Sequence, residues 1–291
     1  MQQLVANGVL AAAIYVMVAT GFALIYATSR FLHFAHAVVF TAGAYFALFL
    51  ATRIGLPLAF SVLLALVLSA VLGCLAELVV YRPLRRRGSS PLVLLLSALG
   101  IYIVLQNGIS MLFGDDLKII PGLDSGPSFT IGLARVTPVQ IVTIATGALC
   151  VVATAIVLKT TRVGKMMRAV ASDSELAEIS GVRAGSVILA SFAVGSVLAG
   201  LAGVLVALDT AMTPDMGLNV FLMAAAAMIL GGVESIPGIA LGALLVGLTQ
   251  HFGVWLLGSQ WQDAIAFTIL LIALAVRPQG LLGKRAVRAT A

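Results

Sequence analysis

The sequence predicts an all-α fold: a polytopic bundle of about eight to nine membrane-crossing helices, some of them broken, in a single domain over residues 1–291. Three observations predict it. About 61% of the residues are apolar before the 29 glycines are counted, and only 10% are charged, against about 25% charged in soluble domains. A soluble chain of this length would leave roughly a quarter of its unfolded surface in water, too much for so apolar a composition. The apolar residues fall into nine stretches near membrane-spanning length, and the charges lie between them. Together these exclude an ordinary soluble enzyme and a disordered chain. The net charge of +6 sits in short clusters rather than on a basic face, which excludes a nucleic-acid binder.

A membrane helix needs about 20 apolar residues. Spans are expected near 4–28, 37–52, 57–80, 91–113, 138–158, 185–208, 219–233, 237–257 and 263–277. The first charged residue is Arg30, so the basic start of a signal peptide is missing and the first stretch reads as a retained span. Residues 29–37 place Arg30, His33 and His36 between two apolar runs, as a loop or as a break inside the bilayer. Cys74 and Cys150 lie within apolar stretches and read as small apolar filler. Glu77 is the one charge inside a span, a turn from Tyr81 and Arg82, which suggests a snorkelling ion pair at the span's end.

Gln106 and Asn107 are polar residues in an apolar stretch, and each needs a partner in lipid. They are expected to line a path or to bind between helices. The stretch 219–233 is short and ends in Gly231-Gly232, and the following Glu234-Ser235-Ile236-Pro237-Gly238 interrupts any helix. Gly/Pro-interrupted segments in polytopic chains point to broken helices beside a substrate path; an ordinary tight loop is the alternative. Small residues at Gly195, Ala199 and Gly203, and at Gly238 and Gly242, let helix backbones approach closely.

Charge orients the chain. One set of loops holds 14 of the 17 basic residues: Arg30, Arg82, Arg85, Arg86, Arg87, Lys159, Arg162, Lys165, Arg168, Arg183, Arg277, Lys284, Arg285 and Arg288. The alternate loops hold Arg53, Lys118 and Arg135, with six aspartates including Asp124, Asp209 and Asp263. The positive-inside rule places the first set, and with it the C-terminus, in the cytoplasm.

Catalytic signatures are missing. No phosphate loop, His-Glu-x-x-His or Cys-x-x-Cys metal spacing, or Gly-x-Ser-x-Gly turn occurs. No metal, cofactor or enzymatic activity is expected. Ion-coupled carriers keep ionisable groups in mid-membrane, and here nearly every charge maps to a loop. The pattern favours a channel, or a permease driven by a separate motor.

Residues 159–184 form the longest polar stretch on the basic side. Ser172 or Asp173 is placed to cap a short helix, with Glu175 in its first turn and Gly181 as its stop. Leu176 and Ile179 fall on one face, an apolar ridge ringed by charge that suits a partner's groove. A solvated connector with a surface helix is the alternative.

Several strings in order resemble one family. They are Phe34-Ala35-His36 with Gly43-Ala44-Tyr45; Glu77 with Tyr81-Arg82-Pro83-Leu84-Arg85; and Leu99-Gly100-Ile101 with Leu105-Gln106-Asn107. Thr161-Arg162-Val163-Gly164-Lys165 with Met167-Arg168-Ala169 follows, then Gly200-Leu201-Ala202-Gly203, Leu230-Gly231-Gly232 with Ser235-Ile236-Pro237-Gly238, and Arg277 through Gly283. The chain is similar to the shorter, H-type permease of ATP-binding-cassette importers for branched-chain amino acids, over nearly its whole length. Departures are His33 where the family usually has Asn, Ala37 where it has Gly, and Glu234 where a small residue is common.

The resemblance implies a membrane subunit without catalysis in the bacterial inner membrane. It implies a homologous M-type permease, two cytoplasmic ATPases and an external solute-binding protein as partners, and no nucleic acid. By the same likeness, 159–184 becomes the segment that docks on the ATPase, with Arg162, Gly164, Lys165, Arg168, Asp173, Glu178 and Gly181 as contact or shaping residues. Phe34, His36, Gln106, Asn107, Gly231, Gly232 and Pro237 become candidate pathway residues. Urea or short amides as cargo, a self-contained channel or secondary carrier, and a structural scaffold are the rival readings.

Overall fold

A computed structural model describes residues 1–120, 129–131, 134–277 and 279–283, and each expected stretch is a helix in it. They are α1 (Gln2–Ser29), α2 (His36–Thr52), α3 (Leu58–Ala76), α5 (Pro91–Phe113), α6 (Pro138–Thr160), α9 (Ala184–Asp209), α10 (Met216–Gly231), α11 (Ile236–Leu257) and α12 (Gln262–Val276). A π-helical turn (Glu77–Tyr81) carries α3 on into α4 (Arg82–Arg86). Two short helices, α7 (Arg162–Ser172) and α8 (Ser174–Ile179), fill the long polar stretch. Six helices, counting Leu58–Arg86 as one, are long and apolar enough to cross a membrane, while α2 and α10 are shorter apolar helices. The all-α expectation holds, with one small addition. Strands β1 (Phe129–Ile131) and β2 (Ala134–Val136) pair antiparallel, Phe129 opposite Val136.

Helix α1 is the axis of the bundle. It packs against α6, α9, α10 and α11, while α9 also receives α2 and α3. The close approach is made by glycine: a Cβ on Gly21 would sit 2.6 Å from the Gly195 carbonyl oxygen, and one on Gly43 2.6 Å from that of Gly200. Around this seam lies the main core, which includes Met17, Phe22, Phe40, Phe221, Met223 and Met228. Helices α3, α5 and α6 lie at the periphery, with 22%, 11% and 17% of their most apolar windows buried, against 78% for α1. Their outward faces are bare apolar surface of the kind lipid or another membrane helix covers.

The two sets of loops gather at opposite ends of α1, a 28-residue helix and so about 42 Å long. At its start, Gln3 bonds the backbone of Arg135 through both amide atoms. At the same end Asp209 accepts hydrogen bonds from Thr137 and Gln140, both 3.1 Å, which tie the close of α9 to the capping box of α6. At the other end Arg30 donates to the Ala171 carbonyl of α7, and Arg82 lies beside Gly185 at the start of α9. Asp124, Pro278, Lys284, Arg285 and Arg288 lie outside the described residues.

Glu77 differs from expectation. It does not snorkel. Its side chain is fully buried and pairs with Arg85, not with Arg82. The π turn between them shifts the helical register, which lets a residue eight positions on reach back. Cys74 and Cys150 are both free, as filler would be.

Candidate functional site

The segment 159–184 folds as two short helices, α7 and α8, packed on the start of α9. Thr161 accepts the Gly164 backbone N–H at 3.0 Å and caps α7. Gly164, Met167 and Val170 recur every third position and are the buried face of α7. A Cβ on Gly164 would come within 2.5 Å of the Leu158 Cα, so glycine is what lets α7 fold back along α6. Asp173 then caps α8: its Oδ1 accepts the backbone N–H groups of Glu175 (2.9 Å) and Leu176 (3.0 Å). Gly181 follows α8 with φ +85°, the left-handed stop expected of it. Met167, Val170 and Ala177 pack with Ala184 and Val187 of α9 into a small core. The outward face presents Arg162, Lys165, Arg168, Asp173 and Glu178 to solvent. Leu176 and Ile179 are 61% and 79% exposed, which is the ridge the spacing predicts.

The stretch 30–35 is a break lodged inside the molecule. Arg30 ends α1 in the left-handed region, φ 59°. It is the one non-glycine residue with positive φ among those described. Phe31, His33 and Ala35 are then buried, and α2 starts at the fully buried His36. His33 Nδ1 lies 3.0 Å from the Tyr81 hydroxyl. The two imidazoles stand 5.9 Å apart by ring centroid, within an aromatic cage of Phe22, Phe31, Tyr81, Phe192 and Phe221. Phe34 packs on Phe221, with centroids 5.3 Å apart. Among the described residues, His33 Nε2 has no hydrogen-bond partner, and the His36 nitrogens make no hydrogen bond of good geometry. Buried polar groups in native proteins are normally paired, so the break is a polar interruption in an otherwise apolar core. No group of three or more His, Cys, Asp or Glu among the described residues is placed to hold a metal ion.

Gly231 and Gly232 close α10, and Gly232 turns the chain with φ +102°. Ser235 accepts the Gly238 N–H at 3.1 Å and caps α11, with Pro237 in that helix's first turn. Pro237 therefore opens a helix, as proline does where no intrahelical N–H is needed. The 279–283 segment lies on this turn through Leu281 to Leu230 (2.8 Å) and Leu282 to Gly231 (3.1 Å).

Gln106 and Asn107 lie elsewhere, on the outward side of α5. Asn107 is exposed and donates to the Ile103 carbonyl at 2.8 Å and to Gln106 at 3.3 Å. The expected site residues thus fall into three groups: the two-helix platform of 161–181, the interior break with the 231–237 turn, and the outer face of α5. Helix α7 was not expected, although its buried positions at 164, 167 and 170 carry the helical spacing that signals it. The Glu77–Arg85 pair has no such signal, because eight residues apart is not a helical neighbour spacing.

Comparison with known proteins adds a family. Residues 4–274 match the model described as branched-chain amino acid transport system / permease component. The chain is 32% identical to the high-affinity branched-chain amino acid transport system permease protein BraD of Pseudomonas aeruginosa, over 98% of this chain and 96% of that protein. It is 30% identical to the corresponding LivH of Escherichia coli, over 96% and 94%. A probable LivH of Methanocaldococcus jannaschii is 25% identical over 92% and 88%.

Proposed function

We propose, from the premise that this chain belongs to the branched-chain amino acid transport permease family, that it is the membrane-spanning subunit of an ATP-driven importer for leucine, isoleucine, valine or related amino acids. A second, homologous permease, two cytoplasmic ATPases and an external binding protein complete the machine. The basic end, with the C-terminus, faces the cytoplasm of a bacterial inner membrane, in keeping with the clustering of Arg30, Arg82, Lys159, Arg162 and Arg183 there.

The observation that supports this most directly is the platform. Two capped helices, fixed by their own small core, hold an exposed Leu176–Ile179 ridge between basic and acidic side chains. A rigid platform transmits force where a solvated loop would absorb it. Closure of the ATPase pair would push α7 and α8 as a body, and α9 and α1, which touch α7, would follow as rigid elements. Recognition of cargo lies mainly in the external binding protein, and the permease offers transient passage past the break and the 231–237 turn.

Three measurements test this. Uptake of labelled leucine into proteoliposomes should require the ATPase subunits, ATP and the binding protein; uptake by this chain alone would establish a self-contained carrier instead. Replacing Asp173 and Glu178 together should leave ATP hydrolysis running while uptake falls. Unchanged coupling in that double variant would remove the docking assignment. Competition by urea or acetamide at the level of leucine would replace the cargo.

A further inference from the structure

A cleft of about 360 Å³ opens at the basic end between the close of α1, the flank of α7 and the turn that joins α10 to α11. This lies at the small end of the roughly 300–1,000 Å³ range of ligand sites. Its walls carry both signs of charge. Arg30 at the end of α1, Arg168 on α7 and Glu234 on the α10–α11 turn all line it, with Leu24, Ala27 and Ile236 supplying apolar surface. The described ion pairs join Glu77 to Arg85 and Asp116 to Lys118, so among the described residues Glu234 and Arg168 have no ionic partner. One nitrogen of the Arg30 guanidinium donates to the Ala171 carbonyl; a guanidinium has five N–H donors, and among the described residues no other partner takes the rest. That contact is made by a left-handed arginine, and residues held in such strained conformations gather at ligand clamps and switches.

We propose that this cleft binds a zwitterionic amino acid with an apolar side chain. Its carboxylate would meet Arg30 and Arg168, the fork geometry that suits arginine best. Its ammonium would meet Glu234, and its side chain would lie against Leu24, Ala27 and Ile236. An occupant here touches α7 on one side and α1 with the α10–α11 turn on the other. It therefore holds the docking platform against the bundle, and free amino acid on this side slows the transport cycle. The binding site stands independently of the importer reading; only its effect on uptake rests on that reading.

The test is equilibrium binding of radiolabelled leucine to the purified full chain in nanodiscs, with no binding protein present. Leucine should bind, while N-acetyl-leucine and leucinamide, each lacking one charge, should bind roughly tenfold more weakly or worse. Glu234→Gln should weaken leucine about tenfold but leave N-acetyl-leucine unchanged, because the lost ligand charge and the lost residue report the same contact. Ala27→Phe should abolish binding by filling the cleft, with thermal melting checked against the parent; Glu234→Gln, at an exposed turn, keeps the result readable where Ala27→Phe fails to fold. Leucine binding that is absent, or insensitive to Glu234→Gln, or matched by N-acetyl-leucine, overturns the proposal. In the assembled importer, millimolar leucine on the ATPase side should slow uptake in the parent and not in Glu234→Gln. An importer that never transports leucine overturns the cargo reading while the binding result stands.

Discussion

Helices α1 and α5 are both long and apolar, and either would pass as a membrane span by composition. Their surroundings differ sharply. Helix α1 is enclosed by α6, α9, α10 and α11, whereas α5 touches the rest of the chain mainly through α2. Lipid tails are as apolar as leucine, so no hydrophobic force draws one such helix inward and leaves the other outside; close backbone packing and hydrogen bonding do. Helix α1 has the texture for close packing. Gly8 rests on Gly247 and Leu248, and Gly21 on Gly195, and Tyr15 bonds Gln250 of α11 at 2.7 Å. Helix α5 presents Leu92, Leu96, Val104, Met111 and Leu112 outward. Its two glycines, Gly100 and Gly108, have nothing within 4 Å of where a Cβ would be. In lipid, burial is assigned by shape rather than by hydropathy.

The largest effect should come from breaking the α1 seam. Gly21→Leu drives a side chain into the backbone of α9, where even a Cβ would lie 2.6 Å from the Gly195 oxygen. Overpacking costs typically about 1–3 kcal/mol. Here the obstacle is backbone that cannot rotate away, so a loss of about 3 kcal/mol or more is expected, read as a collapse of thermal melting in detergent. A mild effect would mean that α1 and α9 can part without harm, and the contrast with α5 would lose its basis.

The same contrast shows what was legible in the sequence. The nine apolar stretches all became helices, because their length and composition leave no other way to satisfy a backbone in lipid. The Asp173 cap, the Gly181 stop and the Leu176–Ile179 ridge were legible too, since each is a local relation within a few residues. What was not legible is what depends on a distant element. His33 and His36 are buried because Tyr81, Phe192 and Phe221 from three other elements close over them, and nothing in the stretch 29–37 announces those partners. The inward position of α1 and the outward position of Gln106 and Asn107 are of the same kind. The hairpin of β1 and β2 falls between apolar stretches, where hydropathy has nothing to say.

A sharper probe of the inner region is the Glu77–Arg85 pair. Removing one member of a buried pair strands the other, at about 3–5 kcal/mol where both are fully enclosed. Arg85 keeps 22% of its side chain exposed, so Glu77→Leu is expected to cost less, about 2 kcal/mol. Glu77→Leu with Arg85→Leu should recover most of that loss, because two apolar residues replace two desolvated charges. Melting temperatures of the two single variants and the double give the coupling directly. Additive losses would show that the charges act independently.

The smallest stability effect belongs to α5, and there the informative quantity is the gap between stability and transport. Gly100→Ala places a methyl group in open space and improves helix propensity by up to about 1 kcal/mol, so the isolated chain should melt unchanged or slightly higher. Asn107→Leu gives up hydrogen bonds only to its own helix and should also melt within experimental error of the parent. If α5 merely faces lipid, uptake by the proposed importer should be equally indifferent to both changes. If Gln106 and Asn107 line the path, Asn107→Leu should cut leucine uptake severalfold at unchanged melting temperature, and Gly100→Ala should not. Among the described residues this polar pair has no partner on another helix, so a severalfold loss would mean that a second subunit completes it against the bare face of α5.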